Sequence, residues 1–342
     1  SWNLPVSCGL RFQDTFDNRH PLYVGDAGIG INPALAERIR QADLVMALGL
    51  RLGEMTTSGY TLLQAPRPQQ RLVHLHPGAE ELGRVYAADV LLQACLSSMD
   101  EVLAGLGMPT TPPTWSTWTA AAVADYARNR EHTPVEPMDL AVVVKTLERL
   151  APADTVYTNG AGNYSGWLHR YLRYPGLAHT GKTQLAPTSG AMGYGLPAAV
   201  AASLTQPGRV VINLAGDGDF LMNGQEMATA TGYGAGRDGA PLISIVVDNG
   251  TYGTIRMHQE REFPGRVSGS DLYNPDFAAL ARAYGWAAER VTRTEEFEPA
   301  FVRALRHAGP SLIHLQLPTD VITSRTTLQA IRAAALKRHA GN

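Results

Sequence analysis

Apolar runs of strand length alternate with stretches of helical spacing along almost the whole chain. Asp43-Leu44-Val45-Met46-Ala47-Leu48 and Arg71-Leu72-Val73-His74-Leu75 read as strands of a first half. Pro33 to Gln41 reads as a helix before them, because Asn32 can cap it and Pro33 suits a first helical position whose N–H has no partner. Further strands are expected at Thr155-Val156-Tyr157, Arg209 to Leu214, Leu242 to Val247 and Leu312 to Leu317. Met138 to Leu150 puts Leu140, Val143, Val144, Leu147 and Leu150 on one helical face. More helices are expected at Gly190 to Leu204, Asn223 to Thr231, Pro275 to Tyr284 and Thr294 to His307. Continuously apolar strands separated by helices imply parallel sheets covered on both faces, so the expected class is α/β with two doubly wound domains. A Pro/Thr/Trp-rich stretch from Met108 to Trp118, followed by the polar Asn129 to Pro137, reads as a linker. The expected division is therefore 1–107, a linker at 108–137, 138–330, and a tail at 331–342.

Composition narrows the function classes. The chain has 342 residues, 44% hydrophobic and 18% charged, enough for two ordinary cores. Its 29 Lys and Arg against 31 Asp and Glu leave no basic excess for nucleic acid, and a small ligand is the better expectation. Cys8 and Cys95 are too few for a disulfide framework or a zinc cluster, which fits a reducing cytoplasm. No apolar run reaches membrane-spanning length, and the absence of an initiator Met suggests further sequence upstream.

The candidate chemistry sits between Gly216 and Gly253. Gly216-Asp217-Gly218 follows the strand ending at Leu214, and Asp248-Asn249-Gly250 follows the strand Leu242 to Val247. Ligands of such sheets gather at the carboxyl ends of strands, so Asp217 and Asn249 share an edge if their strands are neighbours. A helix after the first turn would aim its N-terminal amides at it, and amides attract phosphate. The Asp217 carboxylate and Asn249 amide oxygen are hard ligands suited to Mg²⁺, which keeps phosphate oxygens in its octahedron. Taken alone, Gly-Asp-Gly is far more often a plain turn than a ligand site.

The whole run, with Gly-Asp-Gly, a helix, a buried strand and Asp-Asn, resembles the thiamine diphosphate signature of the acetolactate synthase and benzoylformate decarboxylase superfamily. Thr188 to Ala199 resembles the segment that supports the cofactor: Gly190 would present its carbonyl to the aminopyrimidine and Met192 would be the apolar prop that bends thiamine, unless it is simply a core Met. Asn159 to Tyr164 resembles the diphosphate loop, which implies cofactor contacts from Ala161, Gly162, Asn163 and Tyr164, although a plain Gly-rich turn looks similar. The resemblance further implies cofactor contacts at Gly216, Asp217, Gly218, Asp219, Asn249, Thr251, Tyr252 and Gly253, with Mg²⁺ held by Asp217, Asn249 and the Thr251 carbonyl. The spacing from Asp217 to Asn249 is longer than usual, the excess lying in Gly234 to Gly239, where insertion costs little. Asp219 also departs from the family pattern, which favours a small residue there; its charge is expected to face away from the phosphate or toward the metal. Gly250 to His258 resembles the helix lining the substrate pocket, which assigns Thr254, Ile255 and His258 to that pocket, with His258 either a proton donor or a residue that packs or faces solvent.

Phe12-Gln13-Asp14, Asp17 to Pro21 and Ala47 to Glu54 resemble the family's middle domain, entered after its first strand and helix. Histidines in Val73-His74-Leu75-His76-Pro77 replace the acids of flavin-binding members, so FAD is disfavoured; His74 and His76 share a strand face without a third metal ligand nearby. Nothing resembles the N-terminal pyrimidine-binding domain that supplies the activating Glu across a dimer interface. The resemblance thus implies part of a longer enzyme, a homodimer or homotetramer when intact, acting on 2-keto acids, with this chain holding the cofactor diphosphate and having negligible turnover by itself. An acetolactate synthase-like transferase is the first reading. A decarboxylase of benzoylformate decarboxylase type is the second, favoured by Asn249 to Gly253 and by His258 where acetolactate synthases carry Trp. A noncatalytic cofactor-binding relative is the third.

Overall fold

The computed structural model describes residues 2–98, 101, 105, 107, 110–111, 113–237 and 239–340. Met108 of the expected linker, Asp238 of the Gly234 to Gly239 loop, and Gly341 and Asn342 of the expected tail lie outside the described residues. The chain forms two compact units, Ser1–Glu131 and His132–Asn342.

The first unit holds a parallel pair, β1 (Val6–Gly9) and β2 (Tyr23–Ala27), and a three-stranded parallel sheet in the order β3 (Leu44–Leu48), β4 (Arg71–His76), β5 (Val90–Gln93). Helix Pro33–Gln41 forms as expected, with the Asn32 side chain accepting from the Ala34 N–H at 3.1 Å. A helix also spans Ser116–Asn129, inside the stretch whose composition reads as a linker. The prolines end before it, and its Ala-rich middle favours a helix that packs Ala122 with Val24 and Leu35. Tyr126 meets the ring of Tyr23 edge-on at 5.1 Å. His74 is buried with Nε2 3.0 Å from the Leu50 carbonyl, while His76 accepts the Gly78 N–H on Nδ1, so each is used by local backbone.

The second unit is built on six parallel strands in the order β10-β11-β9-β8-β6-β7: β6 (Val156–Asn159), β7 (Gln184–Leu185), β8 (Val211–Gly216), β9 (Leu242–Asp248), β10 (Ala287–Val291) and β11 (Ser311–Gln316). Alternation along β9 sends Ile243, Ile245 and Val247 into one core with Val143, Val144, Leu147, Phe297 and Phe301. Leu242 and Val246 go to the other face, against Leu196, Val200, Met227 and Phe277. Burying each such side chain contributes about 1.5–3 kcal/mol, so both faces are fixed by the strand sequence itself. One polar thread crosses the central strands: Thr158 Oγ1 donates to Asn213 Oδ1 at 3.2 Å and Asn213 Nδ2 donates to Ser244 Oγ at 2.9 Å, all buried.

Two helices begin elsewhere than expected. The helix expected from Gly190 spans Gly195–Thr205, because Gly190 and Gly193 have φ of 77° and 80°, outside the helical region. After β8 there is no free turn: Gly216 is extended, and Asp217 opens the short helix Asp217–Asn223, followed by Glu226–Tyr233. The segment read as a tail carries helix Leu328–Ala340, whose Arg332 pairs through two nitrogens with the buried Glu260 of helix Gly253–Glu262.

Candidate functional site

The strand β6 runs outward to β7 on one side, and the chain then returns to β8 on the other, so the sheet changes direction between β6 and β8. Ligands of parallel sheets bind outside the carboxyl ends of strands at such a point. The register pairs Asn159 with Leu214 and Gly216 with Val247, bringing the loops after β6, β8 and β9 to one edge. There the second unit has a cavity of about 260 Å³.

Its walls come from four separated segments. Ala161, Gly162, Asn163 and Tyr164 follow β6; Gly190 and Met192 precede helix Gly195–Thr205; Gly216, Asp217, Gly218 and Asp219 follow β8; and Asn249, Thr251, Tyr252, Gly253, Thr254 and Ile255 follow β9. Leu140, Trp167, Val247, Val321 and Ile322, not expected from the sequence, complete the apolar lining.

Asp217 is the electrostatic centre. One carboxylate oxygen accepts the Gly218 N–H at 2.9 Å, and the other accepts Gly250 N–H at 2.9 Å and Asn274 Nδ2–H at 2.8 Å. The same two donors reach Asp248 Oδ1, from Gly250 at 3.0 Å and Asn274 at 2.7 Å, so they sit between two carboxylates. Burial, with the Asp248 charge adding to it, pushes the Asp217 carboxyl up to about 6 despite these bonds. Asp248 is itself buried but goes the other way, held below the usual carboxylate range by its bonds to His314, Asn274 and the Gly250 amide against the opposing effect of burial. His314 Nε2 lies 2.8 Å from Asp248 Oδ2. Asn274 and His314 carry no signal in their own segments; only the fold brings them to Asp217 and Asp248.

The donors suit a hard divalent cation. Asn249 turns its Nδ2 to the Val321 carbonyl at 3.4 Å, which leaves the amide oxygen as its other polar end. Gly250 C=O and Tyr252 N–H make the pairing with Leu272 and Ser270, leaving the Thr251 carbonyl outside it. Gly250 has φ 68°, the left-handed turn that lets the chain reverse directly after Asn249. A carboxylate, an amide oxygen and a backbone carbonyl are oxygen donors of the kind that Mg²⁺ takes. Among the described residues no group of three or more His, Cys, Asp or Glu forms a metal cluster, so such a cation would depend on neutral oxygens.

Asp219 is buried and turned onto the loop after β6 and onto Gly193. Burial raises its carboxyl above the usual range, and raises the Tyr164 phenol well above its ordinary value with the Asp219 charge adding to it. Asn163 is tied to Thr254 by reciprocal bonds of 3.1 and 3.0 Å. His258 does not line the cavity. It lies exposed on helix Gly253–Glu262 beside Arg261, and partial burial and that guanidinium lower its pKa. The helical rise carries it one turn past Thr254 and beyond this cavity.

Residues 160–315 match the thiamine pyrophosphate enzyme C-terminal TPP binding domain, and residues 1–106 match the thiamine pyrophosphate enzyme central domain. The chain is 29% identical over 317 residues to acetolactate synthase isozyme 2 large subunit of Escherichia coli (strain K12), covering 92% of this chain and 55% of the relative. It is 29% identical over 323 residues to the acetolactate synthase large subunit of Parasynechococcus marenigrum (strain WH8102), covering 92% and 50%. Against acetolactate synthase 1, chloroplastic, of Oryza sativa subsp. japonica the identity is 26% over 328 residues, covering 92% and 49%. The chain thus spans about half the length of these curated relatives.

Proposed function

Because the chain belongs to the thiamine pyrophosphate enzymes, whose central and C-terminal TPP-binding domains it carries, we propose that it serves thiamine diphosphate- and Mg²⁺-dependent ligation or cleavage of 2-keto acids, acetolactate synthase-like, by holding the cofactor's diphosphate arm. The observation that carries this reading is the convergence of four separated segments, after β6, before helix Gly195–Thr205, after β8 and after β9, on one cavity with Asp217 buried at its edge.

Thiamine diphosphate, when bound, supplies the electron sink that 2-keto acid chemistry requires. Asp217, the Asn249 amide oxygen and the Thr251 carbonyl would hold Mg²⁺, and the loop Ala161 to Tyr164 would bound the diphosphate. Met192 and Gly190 would bear on the organic part of the cofactor. Thr254 and Ile255 would line the approach of the keto acid, and the apolar Val321, Ile322 and Leu140 would exclude water from it. These residues bind and orient; the principal acid–base group is assigned to a Glu outside this chain.

Calorimetry on the full-length gene product tests the reading. Uptake of thiamine diphosphate should require Mg²⁺ and be lost in Asp217→Ala. Absence of uptake at saturating Mg²⁺ in a folded wild-type protein refutes it. Product analysis with pyruvate then separates ligation, which yields acetolactate, from simple decarboxylation, which yields acetaldehyde.

A further inference from the structure

Asp219 raises a physical question, since a carboxylate next to a bound diphosphate would repel it. Its side chain is 3% exposed and both oxygens are engaged: Oδ1 accepts the Ala161 N–H at 3.2 Å and the Gly193 N–H at 2.7 Å, and Oδ2 accepts the Tyr164 O–H at 2.7 Å. The donors belong to different segments, the loop after β6 and the turn before helix Gly195–Thr205. Held this way, the Tyr164 ring lies so close to Gly216 that a Cβ built there would come within 2.8 Å of Tyr164 Cδ1. A Cβ on Gly160 would fall 2.0 Å from Asp219 Oδ1, so the loop is shaped around this carboxylate.

We propose that Asp219 is a positioning residue, a buried clamp that fastens the loop after β6 and the Tyr164 ring to the helix after β8 and so sets the wall against which the diphosphate arm lies. The proposal rests on the thiamine diphosphate reading for the identity of that arm, and concerns neither metal ligation nor contact with reacting atoms. A small side chain here could not span to three donors. Asn could: its oxygen keeps both backbone amides and its NH₂ faces a phenol able to accept.

The test uses the full-length protein with Asp219→Ala, Asp219→Asn and Tyr164→Phe. Dissociation constants for thiamine diphosphate at saturating Mg²⁺ come from calorimetry, and amide exchange of the 160–164 and 190–195 peptides is measured without cofactor. Asp219→Ala should weaken binding about tenfold or more, by leaving buried donors unpaired, while Asp219→Asn stays within about threefold of wild type. Tyr164→Phe should fall between them. Exchange of both peptides should speed up in Asp219→Ala and not in Asp219→Asn, and by more than any lowering of the global melting temperature accounts for. Wild-type affinity in Asp219→Ala, tighter binding in it through relief of repulsion, or equal loss in Asp219→Asn overturns the clamp. Should wild type take up no thiamine diphosphate, the functional reading fails, and the exchange data alone decide whether the clamp exists.

Discussion

Replacing Asp217 by Asn should make the metal-free protein more stable while removing its use. The folded state holds the Asp217 carboxyl at about 6 against an ordinary 3.8, chiefly because burial disfavours its charge. At about 1.4 kcal/mol per tenfold, ionised Asp217 costs the empty protein about 3 kcal/mol at neutral pH. Asn removes that charge but turns its NH₂ toward a backbone N–H that the carboxylate accepts, from Gly218 if the other oxygen is kept for Gly250 and Asn274. That lost bond costs about 1 kcal/mol. A net gain of about 2 kcal/mol remains, or a Tm rise of about 4–8 °C for a unit of this size. The sign follows from linkage: a carboxyl raised in the folded state binds more protons folded than unfolded between pH 3.8 and about 6, so its cost is full above that window and fades as pH falls through it. Thermal melts in EDTA from pH 4 to pH 8 should therefore show the advantage of Asp217→Asn widest at neutral pH and slightly reversed at the acid end, where the lost bond outweighs what remains of the charge cost. Added Mg²⁺ should raise only the wild type. A variant no more stable than wild type at pH 8 in EDTA, or a gap independent of pH, would refute the assignment of Asp217 as a buried charge awaiting a cation.

Arg332→Ala should cost about 1–3 kcal/mol, less than a fully enclosed pair because Arg332 is 43% exposed, yet real because it strands the buried Glu260. The Arg332 bond holds the Glu260 carboxyl below its ordinary range, so this stabilisation is present above about pH 4.3 and lost as pH falls below it; urea melts at several pH values measure the difference. Gly250→Ala meets open space, so its cost is backbone strain at φ 68° alone, about 1–2 kcal/mol in equilibrium unfolding. His258→Gln should leave thiamine diphosphate affinity within about twofold in a calorimetric titration, because a surface change beside Arg261 perturbs little.

The sheet of the second unit is legible in the sequence because buried parallel strands are continuously apolar, and β6, β8, β9 and β11 each appear within two residues of their expected ends. The strand β7 has 2 residues, too few for periodicity to register, β1 runs out in Cys8 and Gly9, and β2 is broken by Gly25 and Asp26. Asp217 and Asn249 could be paired from the sequence because each follows a readable strand. Asn274, Asp248 and His314 could not, since their relation is tertiary: His314 sits in β11 as one polar position of an apolar strand, with nothing local to say that it faces Asp248. Asp219 was visible as a departure, but the direction of its carboxylate depends on the loop after β6, 55 positions earlier in the chain at Tyr164.

The thread from Thr158 through Asn213 to Ser244 lies beneath that cavity and ties β6, β8 and β9, the strands whose ends carry three of its four walls. Sliding any one of them by a single residue would turn its polar member to the opposite side of the sheet, where aliphatic neighbours offer it no bond. The relative heights of the loops are thus locked from below. Changes of lining are then open to the tips of those loops, while the depth of the cavity is inherited by every variant that keeps the three side chains.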